Sequence, residues 1–140
     1  TYGFGQHSGV IDSTKDKYEL PRFPINENYG KMERFNSIIK YLPLQYKEFK
    51  PEDKYVLTKN NPPSVEIKFF DDQKNLKNIN CFSNEGDNWG NPKISVDVNN
   101  LMKISFREKF TFRRGRLNCS LNEDGKWKWF GHQFTIQIPK

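Results

Sequence analysis

The sequence predicts a mainly β protein: an antiparallel β-sandwich, immunoglobulin-like topology admitted, preceded by a short segment with one amphipathic helix. Three observations predict it. From Ser64 onward apolar and polar residues alternate with period two in short segments, the pattern of strands with one buried and one wet face. Turn signals rich in Asn, Asp and Gly separate these segments. Only one stretch, Gly30–Leu42, repeats its apolar residues at helical spacing.

Residues 1–29 are broken by Gly3, Gly5, Gly9, Pro21 and Pro24, which allow no long element. Thr1-Tyr2-Gly3-Phe4 reads as the end of a strand. Met32, Phe35, Ile38, Ile39 and Leu42 then fall on one face of a helix, which Pro43 stops because it lacks the amide the helix needs. Residues 43–63 form a proline-rich connector with a short strand at Lys54–Thr58, and the domain boundary falls here, dividing residues 1–50 from 51–140. Four segments alternate clearly: Val65, Ile67, Phe69; Ile94, Val96, Val98; Met102, Ile104, Phe106; and Phe134, Ile136, Ile138. Turns are expected at Asp71-Asp72, Asn84–Asp87, Asn99-Asn100 and Asn122–Gly125. Seven or eight short strands without an intervening helix favour a sandwich, with a small barrel as the competitor.

Apolar residues make up only 34% of the 140 residues, but 12 Phe, 6 Tyr and 3 Trp supply large side chains for a core. The net charge of +6 is spread along the chain, with only Arg113, Arg114 and Arg116 clustered, so no basic stripe points to nucleic acid. No apolar run is long enough to span a bilayer. The first residues lack a signal-peptide layout, so targeting information is expected upstream of Thr1. Cys81 and Cys119 sit in similar alternating segments, where two inward cysteines on neighbouring strands would form a disulfide if their Cα atoms lie close enough; free buried cysteines are the alternative.

Catalytic constellations are sparse. His7 and His132 stand far apart in sequence without nearby ligand partners; His7 reads as an exposed or hydrogen-bonded turn residue and His132, at a strand start, as a surface residue. Ser8 beside His7 lacks the strand-turn-helix setting of a nucleophile elbow. Pairs such as Asp71-Asp72 read as turn residues, not facing carboxylates. The aromatic run Trp127-Lys128-Trp129-Phe130 places Trp127 and Trp129 on one face, with Trp89 on an expected loop. An exposed pair of this kind stacks on sugar rings; core filling is the favoured alternative for Trp127 and Trp129. Arg113, Arg114 and Arg116 read as an anion site or, preferably, a solvated turn.

Several motifs in shared order resemble one family. Phe4-Gly5-Gln6-His7-Ser8-Gly9, Leu20–Glu27, Tyr29-Gly30, Asn61–Ser64, Leu76–Phe82, Gly115–Cys119 and Trp127–Phe130 resemble the end of the catalytic domain and the strand-rich extension of bacterial polysaccharide deacetylases of the NodB-homology, carbohydrate esterase family 4-like type. The resemblance implies hydrolysis of N-acetyl groups on a glycan by metal-activated water. Its base and metal ligands belong to motifs absent here, so a divalent, zinc-like ion is expected upstream, with no cofactor or catalytic residue in this chain. Residues 1–50 would then complete the catalytic barrel and residues 51–140 form the accessory sandwich. The expected partners are the upstream catalytic segment and a polysaccharide of N-acetylated sugars, in the periplasm, the cell envelope or the extracellular space. Gln6, Arg22, Trp89, Trp127 and Trp129 are the expected substrate contacts.

Overall fold

The computed structural model describes residues 1–137; the expected strand residue Ile138 lies outside them. Two sheets face each other, as the alternation predicts. The larger runs in the order β1 (Leu42–Pro43), β10 (Lys126–Ile136), β9 (Arg114–Glu123), β5 (Asn80–Asn84) and β6 (Trp89–Gly90), and β3 (Tyr55–Val56) also joins β10. The smaller runs in the order β2 (Tyr46–Lys50), β4 (Val65–Phe69), β8 (Leu101–Ser105) and β7 (Lys93–Val96). All neighbours are antiparallel except β1 and β3, which both lie parallel to β10.

Aromatic side chains fill the space between the sheets. Val65, Ile67 and Phe69 of β4 are fully buried. Facing them, Phe130, Phe134 and Ile136 point inward from β10, with Leu117 and Leu121 from β9. Phe69 meets Phe130 at 6.4 Å between ring centroids, and Phe49 meets Phe134 at 6.4 Å, within the range of favourable ring pairs. On the inner face of the larger sheet Cys81 and Cys119 are directly opposed, with Cα atoms 4.1 Å apart, and are joined by a disulfide.

Two elements differ from expectation. Val98 is not a strand residue but is 99% exposed, because Asp97 accepts the backbone amides of Asn99 and Leu101 at 2.8 and 3.0 Å and bends the chain into a tight turn. The helix is shorter: α1 spans Met32–Ile38 and buries none of its residues. It ends before Pro43 because Tyr41 stacks on Trp129 and Leu42 pairs with Lys128 on the larger sheet. Strands from both sides of residues 50 and 51 pair with one another: β2, which ends at Lys50, with β4, and β1 with β10.

At one end of the sandwich Glu85 is wholly inaccessible. Arg107 forms an ion pair with it and also donates its backbone amide to Oε1 at 3.2 Å, while the Ser83 hydroxyl donates at 2.6 Å. Burial works against the charge on Glu85, but these donors outweigh it and hold the carboxyl below its ordinary range.

Candidate functional site

Strand parity decides which side chains reach the outer face of the larger sheet. With Phe130, Phe134 and Ile136 buried, the odd residues Trp127, Trp129, Gly131 and Gln133 must point away from the core. The favoured core placement of the two tryptophans is therefore corrected: Trp127 is 45% exposed and Trp129 part-buried, both outside the sandwich. Register then builds a row across four strands, because Trp89 lies opposite Asn84, Asn84 opposite Arg116, and Arg116 opposite Gln133. Trp89 belongs to a short strand instead of the expected loop.

The N-terminal segment supplies the other wall. Between Trp129, where β1 ends, and Thr135, where β3 begins, one edge of β10 pairs with neither strand. Ser8 and Gly9 lie against this gap. A Cβ on Gly131 would sit 1.6 Å from the Ser8 carbonyl oxygen, and one on Gly9 would sit 3.2 Å from the Gly131 nitrogen, so only glycines permit the approach. Gly131→Ala is expected to lift residues 5–10 from the sheet. Limited proteolysis would then cut that segment while the sandwich still melts cooperatively; wild-type resistance would refute the placement.

A cleft of about 410 Å³ opens between the segment and the sheet. Gln6, Arg22, Trp89 and Trp129 all line it, although they come from opposite ends of the sequence. Trp129 stacks on Tyr41 with centroids 5.8 Å apart and planes 4° from parallel, and Phe23 packs edge-on against it at 5.6 Å. The Arg116 guanidinium lies 5.2 Å from the centre of the Trp89 ring. Arg22 donates its Nε to the Gly5 carbonyl at 3.2 Å, and Arg34 donates to the Pro24 carbonyl at 2.8 Å, so backbone oxygens hold both side chains. Arg116 Nε, Asn118 Oδ1 and Trp129 Nε1 are buried without a hydrogen bond inside the described chain. Water or a polar ligand entering the cleft would complete their bonding. Trp127 does not join them; it lines a neighbouring cleft of about 450 Å³ with Tyr41 and Leu42.

Phe23, Tyr29, Arg34, Tyr41 and Asn118 complete the cleft and were not singled out in sequence. Arg116, preferred as a solvated turn residue, is instead a part-buried strand residue. Its exposure follows from pairing with β5 and β10, a long-range register that no local pattern reveals.

The two histidines are also corrected. His7 and His132 are buried, 5% and 7% exposed, and the fold brings both to a small cavity behind the N-terminal segment. His132 follows the inward parity of β10 and stacks on Phe49 at 4.0 Å. Burial lowers His7, against an opposing pull from Glu19. Burial chiefly, then Lys54, His7 and Lys15, pushes His132 down to about 3 from its ordinary 6.5. Among the described residues no group of three or more His, Cys, Asp or Glu is arranged to hold a metal ion. These residues therefore do not fit the zinc-like ion that the resemblance implies.

The acid sensitivity follows by linkage. Unfolded His132 gains its proton near 6.5, whereas the folded side chain resists it down to about 3. Its stability contribution is present in full above pH 6.5 and is lost progressively as pH falls toward 3. Between pH 7.5 and pH 5 this histidine alone is expected to remove about 2 kcal/mol. Urea unfolding at the two pH values checks it. His132→Leu should flatten the difference, and an unchanged midpoint in the wild type would contradict a neutral buried imidazole.

Comparison with known proteins gives no matching family model, no matching curated protein and no matching solved structure.

Proposed function

We propose that this chain is the non-catalytic C-terminal part of a metal-dependent polysaccharide deacetylase, the part that holds the glycan while N-acetyl groups are removed elsewhere. The observation that carries the reading is convergence: Gln6, Arg22, Trp89 and Trp129 line one cleft. Aromatic faces match the C–H surface of a sugar ring, and fixed guanidinium and amide groups bond its hydroxyl and carbonyl oxygens. Residues 1–42 also expose Tyr2, Phe4, Tyr18, Ile25, Met32 and Ile39, each by half or more. An upstream catalytic segment holding the zinc-like ion would cover such a surface. The buried Cys81–Cys119 disulfide suits the periplasm, cell envelope or extracellular space, where disulfides persist. No helix among the described residues is long and apolar enough to cross a membrane.

A second reading, an independent carbohydrate-binding sandwich, is favoured by the aromatic rings, guanidiniums and amides that meet in the one cleft. Titration with N-acetylglucosamine oligomers, followed by tryptophan fluorescence, tests what the two readings share. Saturation at millimolar ligand or below is expected, weakened at least several-fold by Trp89→Ala or Arg22→Ala. A flat response sinks both. Hydrogen exchange at residues 25–40 separates them: slower exchange in the full polypeptide than in this chain supports the first, and equal exchange the second.

A further inference from the structure

The arginines of this chain are distributed differently from its lysines. Of six arginines, five line either the main cleft or the one beside it: Arg22, Arg34 and Arg116 in the first, Arg113, Arg114 and Arg116 in the second. The two clefts, about 410 and 430 Å³, share Gln6 and Arg116 and so lie side by side on one face. Neither is lined by an Asp or a Glu. Among the described residues none of these five arginines forms an ion pair, whereas the sixth, Arg107, is neutralised by Glu85, and seven lysines are paired with carboxylates.

Several guanidiniums converging without a counter-charge repel one another and attract an anion. At Arg116 burial lowers the pKa first, and the neighbouring Arg114 lowers it further. Arg114 spends one donor on the Gln6 side-chain oxygen, and Arg116 keeps a buried Nε without a hydrogen bond. Amides of Asn84, Asn118 and Gln133 lie on the same face, beside the arginines. Forked donors of this kind match a carboxylate bidentately, and the amides match neighbouring hydroxyls.

We infer that this face binds an acidic glycan, one whose sugars carry carboxylates, along the line from Arg34 and Arg22 past Arg116 to Arg114 and Arg113. This rests on the reading of the cleft as a glycan site and adds the charge of its occupant. A single strand of nucleic acid offers phosphates in place of carboxylates and is the competing anion that the test must separate.

The test is calorimetric titration of the whole chain with three probes: an oligogalacturonate, a neutral N-acetylglucosamine oligomer of equal length, and an oligothymidylate. The oligouronate is expected to bind at least tenfold more tightly than the neutral oligomer, with affinity falling as salt rises. Arg113→Gln, which changes only the second cleft, should weaken the oligouronate about tenfold and leave the neutral oligomer and the melting temperature nearly unchanged. Equal, salt-insensitive binding of both sugars overturns the acidic assignment and leaves the glycan reading standing. Tighter binding of the oligothymidylate overturns the acidic glycan in favour of nucleic acid. No binding of either sugar removes the glycan reading itself.

Discussion

Arg107→Ala is expected to destabilise the sandwich by about 3–5 kcal/mol, because it strands a buried carboxylate. Glu85 is wholly inaccessible, and Arg107 answers it with both its side chain and its backbone amide. The same guanidinium also donates to the Asn88 carbonyl at 3.0 Å and fills the space beside Gly90. Its loss therefore frees Glu85 and loosens the approach to β6, which carries Trp89. The double variant Arg107→Ala/Glu85→Gln should recover part of the loss, since an uncharged amide costs less to bury than an unpaired carboxylate. Urea unfolding measures both. A loss below about 1 kcal/mol for the single variant, the scale of an exposed pair, would mean that water reaches Glu85.

Replacing both cysteines, Cys81→Ser/Cys119→Ser, is expected to cost about 4 kcal/mol, the loop-closure entropy for the 38-residue separation. For a domain of this size that lowers the melting temperature by on the order of 15 °C. The sulfurs lie in the core between the sheets, with both residues at most 2% exposed. Reductant should therefore act slowly on the folded wild type and quickly once it begins to open. The crosslink ties β5 to β9, and so joins the half of the outer face bearing Trp89 to the half bearing Trp129. A shift of only a few degrees in the double serine variant would show that strand pairing alone restrains these segments.

Period two reads β4 as it stands and finds β7, β8 and the inward cysteines, because each turns its apolar residues toward the core, although Ile94 and Val96 of β7 are only part-buried. The parity of β10 was also legible. Phe134 and Ile136 mark its inner face, and stepping back by twos through His132 to Phe130 leaves Trp127 and Trp129 outside. Gly131 masks this parity because a glycine resembles a break between two strands, whereas β10 is continuous from Lys126 to Ile136. Glycine there serves the backbone of Ser8, a contact remote in sequence. The helix was overextended for a related reason. Leu42 fits a helical face and a strand equally well, and the parallel pairing with Lys128 decides between them. The cleft itself joins Gln6 and Arg22 to Trp89 and Arg116 through cross-strand register, which no local pattern encodes.

The position of β10 has a consequence for how the molecule is made. It follows every other described strand in sequence, yet β1, β3, β9 and the Ser8–Gly9 segment all rest on it. While the polypeptide emerges from the ribosome, those earlier pieces have no template to settle on. Phe23 and Tyr41, which pack on Trp129, then wait unprotected, and closure is a late, slow event of the kind expected when contacts are remote in sequence. Truncation within residues 126–136 should thus yield an aggregating nascent chain and not a smaller folded one.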